Sequence, residues 1–136
     1  MTTIARSRNT SLVRGAVIGD AGVLLALTLV GFATHSSTDA IPRLLATWVA
    51  AMAAWAWVSP WFGVLGDGVL TNPVRVWRVA WAWSVAAPLA VFLRSVALDR
   101  DVAWVFVTVV LVFNGLAMVA WRAGYARFVG GRVVEG

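Results

Sequence analysis

Four long apolar stretches, joined by links that are short in all but one case, constrain this chain more than any other feature. They run from about Leu12 to Thr34, Ile41 to Val58, Val76 to Leu98 and Val102 to Trp121. Each approaches the ~20 residues that a helix needs to cross a ~30 Å hydrocarbon layer. An open strand in lipid would leave its N–H and C=O groups unpaired, so helices are the expected elements. Of the 136 residues, 61% are hydrophobic and only 12% charged. A soluble domain of this length has too little interior to hide that much apolar surface. The expected fold class is all-α, an integral membrane bundle of four transmembrane helices. Residues 1–11 form an N-terminal segment, 12–122 the transmembrane domain and 123–136 a tail.

The links set the order of packing. Residues 35–40 turn the chain after the first helix, and Pro42 suits the first turn of the second. Asp99-Arg100-Asp101 is so tight that helices three and four must be antiparallel neighbours. Residues 59–75 form the long link and mix Pro60, Gly63, Gly66, Gly68 and Pro73 with Trp61, Phe62, Leu65 and Leu70. Such a mix predicts a loop lying in the membrane interface. Gly66-Asp67-Gly68 reads as a turn within it.

All eleven basic residues are arginine, for a net charge of +5. They flank the apolar stretches instead of forming a basic face, so no nucleic-acid partner is expected. Arg6, Arg8, Arg14, Arg75, Arg78, Arg122, Arg127 and Arg132 fall on one side. Only Arg43, Arg94 and Arg100 fall on the other, offset by Asp39, Asp99 and Asp101. The positive-inside rule then predicts both termini and the long link in the cytoplasm of a cell whose plasma membrane holds the protein. A cleaved signal peptide is the rival reading of the first helix. Its length and the presence of Asp20 oppose that reading.

Small residues recur at helical spacing: Gly15 and Gly19, then Ala46, Ala50 and Ala54, then Ala82, Ala86 and Ala90. They let helix backbones approach closely, either within the bundle or between copies in a homo-oligomer. Most of the nine tryptophans, Trp55, Trp57, Trp61, Trp77, Trp81 and Trp121 among them, fit an interfacial belt.

Polar residues at membrane depth are the candidate sites. Asp20 lies six positions past Arg14, about 9 Å along the helix. An acid there costs about 2.5–3.5 kcal/mol on insertion scales, so it needs a partner, water or a proton. Arg78 and Arg122 lie at compatible depth. A buried ion pair that fixes helix register and a proton or cation site of a transporter are both open readings. Ser84 and Asn114 fall near the same layer. Pro88 cannot donate to the carbonyl of Ser84, which predicts a kink and a freed acceptor. On the opposite side, His35 and Arg94 form a second candidate polar cluster.

Cysteine is absent, and His35 is the single histidine. Disulfides and thiolate sites are therefore excluded within the chain, and no metal site or cofactor is expected. No HExxH, GxSxG or P-loop pattern occurs, so no catalytic residue is assigned and an enzyme is not expected.

The Gly19-Asp20 opening and the Gly31–His35 exit of the first helix carry a resemblance. So do Ser59-Pro60, Pro88 through Leu93-Arg94, and Phe106-Val107 with Trp121-Arg122. Across about Gly19 to Arg122 the chain resembles domain of unknown function 3054, a family of small four-helix membrane proteins of archaea and bacteria. The resemblance implies fold and membrane location, and no activity. It adds interest to Asp20, His35, Arg94 and Arg122. Two functions follow as expectations: a small transporter or channel acting as a homo-oligomer, or a non-catalytic accessory subunit of a larger membrane complex. The lipid bilayer is the partner common to both.

Overall fold

The computed structural model describes the backbone of residues 2–33 and 40–134, and the side chains of residues 9–33 and 40–131. Among the described residues there is no strand. The helices are α1 (Thr2–Ala33), α2 (Ala40–Val58), a short α3 (Asp67–Leu70), α4 (Trp77–Ala97), α5 (Trp104–Val109) and α6 (Gly115–Val134). A π-helical turn, Val110–Asn114, joins α5 to α6. Four stretches are long and apolar enough to cross a membrane: Asn9–Ala33, Ala40–Phe62, Pro73–Ala97 and Trp104–Gly131. The expectation of an all-helical chain with four helices long and apolar enough to cross a membrane holds.

The spans pack in a ring in which α1 meets α2, α2 meets α4, α4 meets α6 and α6 returns to α1. The chain runs up and down, so one end of the bundle carries the turn between α4 and α5, here the turn end. The other carries the start of α1 and the end of α6, here the terminal end. The contact between α2 and α4 is the most extensive. Ala50 and Ala54 of α2 and Ala82, Ala86 and Ala90 of α4 are buried there. Short side chains let two helices approach closely, and dispersion contacts then accumulate along the seam. The alanine stripes therefore serve the bundle itself.

Gly15 and Gly19 have a different use. Tyr125 lies over the first and Trp121 over the second, where a side chain would otherwise stand. Tyr125 also donates from its hydroxyl to the carbonyl of Leu12 at 2.8 Å. The two glycines accept aromatic rings from α6 and present no bare face to another copy.

Helix α4 ends in a Schellman motif. Asp99 takes a left-handed conformation at φ 48°. The N–H of Arg100 donates to the carbonyl of Ser95 at 3.0 Å, and that of Asp99 to the carbonyl of Val96 at 3.4 Å. Glycine is usual at that position, and aspartate is one of the few other residues that tolerate it.

Residues 59–76 depart from the expected interfacial loop. Pro60 starts a 3₁₀ turn over Ser59–Phe62, which Gly63 ends at φ 62°. Gly66-Asp67-Gly68 is no turn, because Asp67 and Gly68 begin α3. Asn72 accepts from the N–H of Val74 and starts a second 3₁₀ turn, Pro73–Val76. Val64, Val69 and Val76 plug the terminal end of the core, while Trp61 is 83% exposed. This plug explains the length of the fourth span. Helix α6 continues past Trp121 because α3 and the Pro73–Val76 turn give it a surface to pack on, burying Ala126 and Val129. Helix α1 likewise begins at Thr2, ahead of Leu12.

Candidate functional site

Asp20 lies near the middle of the first span and is fully buried. It and Arg122, which is 2% exposed, form a buried ion pair. The guanidinium grips the carboxylate with two nitrogens: Nε donates to Oδ1 at 2.8 Å and Nη2 to Oδ2 at 2.6 Å. Two indoles complete the set. Trp55 of α2 donates to Oδ2 at 2.8 Å, and Trp121 of α6 donates to Oδ1 at 3.1 Å. Arg122 also reaches the carbonyl of Val64 through Nη1 at 3.4 Å.

Each carboxylate oxygen thus accepts two hydrogen bonds, all from groups that cannot take up its proton. Burial of a charge is expensive unless such partners surround it. Here they come from α2 and α6, and the guanidinium extends the tie to the 59–76 plug. The chemistry suits a lock that sets the register of three helices. It leaves the carboxylate no free lone pair facing an open path.

The other residues expected near this layer lie elsewhere. Ser84 stands at the right depth on the wrong face: partly exposed, it donates back to the carbonyl of Trp81 at 2.7 Å. Helix α4 runs unbroken through Pro88, which is exposed. Arg78 stacks its guanidinium 5.5 Å from the ring of Trp77 and approaches Gly63. Asn114 lies nearer the turn end than expected. The fourth span begins at Trp104 and extends to Gly131, which moves its midpoint beyond Asn114.

Trp55 and Trp121 are residues that the belt reading misplaced. Trp55 is 3% exposed and belongs to the core with Trp83, their ring centroids 5.7 Å apart. A buried indole requires an acceptor, and Asp20 was the only acidic residue at membrane depth able to supply one. Trp83 meets the same requirement at the π turn, donating to the carbonyl of Val110 at 3.1 Å. Trp57, Trp77, Trp81 and Trp104 remain exposed, as a belt requires.

A second polar site occupies the turn end. A cavity of about 700 Å³ lies between α1, α2, α4 and α5. Arg43 and Thr47 of α2 and Arg94 of α4 line its mouth. Leu27 and Phe32 of α1 and Val105 and Val109 of α5 form its walls, and Asn114 lies at its deep end. Arg94 donates through Nε to the hydroxyl of Thr47 at 2.9 Å, and that hydroxyl donates to the carbonyl of Arg43 at 2.8 Å. The guanidinium carbon stands 4.7 Å from the ring centroid of Phe106. Among the described residues no carboxylate pairs with Arg94, and its terminal nitrogens make no hydrogen bond. His35, expected to join Arg94, lies outside the described residues.

Asn114 belongs to the π turn, and Val110, whose carbonyl takes the Trp83 indole, lines the same cavity. Such turns widen a helix by one residue and are frequent at functional sites. No sequence signal marks this one.

A family model described as protein of unknown function, DUF3054, matches residues 17–125. The chain belongs to the DUF3054 family. The matched region contains the Asp20–Arg122 lock and the Arg94 cavity in full. The DUF3054 protein matches no curated protein and no solved structure.

Proposed function

We propose that this DUF3054 protein binds an anionic solute in the Arg94 cavity and moves it across the plasma membrane as a homo-oligomer, with both termini in the cytoplasm. One observation carries the reading: a half-buried arginine lines a cavity of ligand size, and among the described residues no acid pairs with it. Small-molecule sites enclose roughly 300–1,000 Å³ and combine apolar walls with a few convergent polar groups. A guanidinium prefers planar anions that it can hold through two nitrogens. The excess of arginines at the terminal end supports the orientation. The protein is read as a carrier and not an enzyme. Among the described residues neither polar site sets a nucleophile beside a base, and four donors occupy the two oxygens of the Asp20 carboxylate.

The test is thermal unfolding of the detergent-purified protein with and without chloride, phosphate, acetate or laurate, followed by vesicle flux of whichever anion stabilises. Wild type gains stability with at least one anion, and Arg94→Gln gains none. Equal responses of the two proteins to every anion would sink the reading. Binding without flux would leave the accessory-subunit role, with the cavity as a regulatory site.

A further inference from the structure

We infer that the cavity ligand is a single-chain amphiphile with an acidic head group, drawn sideways from the bilayer. This rests on the anion reading of Arg94 and narrows its substrate class. The head-group end is set by Arg94, which lines the cavity with its Nε held by Thr47 and, among the described residues, no hydrogen bond on its terminal nitrogens. The Phe106 ring lies 4.7 Å from the guanidinium carbon, and the two terminal nitrogens suit the paired oxygens of a carboxylate or phosphate. Arg43 lines the cavity beside Thr47.

The walls supply the rest. Leu27, Phe32, Val105 and Val109 offer hydrocarbon and no donor. Thr28 also lines the cavity, but its hydroxyl is turned back to the carbonyl of Leu24 at 2.7 Å. A small hydrated anion would leave these walls unused. An alkyl chain beneath an acidic head covers them.

The route of entry follows from the packing. Helix α5 packs on α4 and leaves α1 to contact α2 and α6. The cavity occupies the resulting gap, and its wall is also the outer surface of the bundle: Val105 is 79% and Val109 45% exposed. Gly31 stands on the opposite edge with nothing within 4 Å of the position of a Cβ.

The experiment is equilibrium binding of laurate and dodecyl phosphate to the full chain in phosphatidylcholine nanodiscs, corrected for empty discs. Acetate and dodecanol serve as the chainless and uncharged comparisons. Saturable binding of either amphiphile is expected, weakened at least tenfold by Arg94→Gln. Gly31→Leu, which has room to fold and places a branch in the gap, weakens it to a similar degree. Acetate as tight as laurate would overturn the inference while leaving the anion reading intact. Dodecanol as tight as laurate would overturn both, since the arginine would then select nothing. Full displacement of laurate by phosphatidylglycerol doped into the discs at matched concentration would also overturn the inference, because the ligand would then be a two-chain bilayer lipid.

Discussion

The indole of Trp121 lies over Gly19, in the space that any side chain there would need. The same indole donates to Asp20, one residue further along α1. A glycine, an aspartate, a tryptophan and the adjoining Arg122 thus form one unit across α1 and α6. Gly19→Ala would push the indole off its acceptor. Overpacking costs about 1–3 kcal/mol, and the lost hydrogen bond adds to it. Gly22→Ala, with open space at its Cβ, is the control. It should be neutral or slightly stabilising, as alanine exceeds glycine in helix propensity by up to about 1 kcal/mol. Unfolding in mixed detergent micelles measures both, and equal behaviour would contradict the placement of Trp121.

Breaking the ion pair should cost more than removing it. Asp20→Ala or Arg122→Ala leaves one buried charge without its partner, a loss of about 3–5 kcal/mol. Replacing both residues, Asp20→Leu with Arg122→Met, removes the stranded charge and should recover part of that stability, the indoles of Trp55 and Trp121 still lacking their acceptor. The wild-type contribution should also resist added salt, because screening acts weakly on buried pairs. A double variant as unstable as the sum of the singles would show that the two residues act independently.

The two classes of tryptophan separate by substitution. Trp55→Phe removes a donor to a buried carboxylate, and hydrogen bonds to charged groups contribute about 1.5–3 kcal/mol. Trp61→Phe alters a ring that is 83% exposed and should change unfolding by less than about 0.5 kcal/mol. Trp55 should also be shielded from aqueous fluorescence quenchers, and its emission should be blue-shifted relative to Trp61. The variants must differ in both readouts.

At the π turn, Trp83→Phe strips the carbonyl of Val110 of its indole donor. Losing a part-buried hydrogen bond costs about 0.5–1.5 kcal/mol. Because Val110 lines the cavity, the same variant should weaken laurate binding as well as stability. A variant that loses stability and binds laurate unchanged would separate the π turn from the site.

Hydropathy alone pointed to four helices long enough to cross a membrane, because an open strand in lipid would leave its backbone groups unpaired. It also placed the centres of the first three spans to within a few residues and marked Asp20 as a buried acid in need of a partner. The tertiary structure decided which partner. Arg78 and Arg122 are both arginines at compatible depth, and only the rotation of α6 brings Arg122 to Asp20 while Arg78 stacks on Trp77. Rotation also turned Ser84 outward and drew Trp55 inward. Composition shows how far along a helix a residue lies. It carries little about azimuth when nearly every face is apolar, because a helix surrounded by lipid need not be amphipathic. The Arg94 cavity was hidden for the same reason. It exists because a π turn and a gap between α1 and α5 leave space there, and such packing mismatches arise only when four helices are fitted against one another.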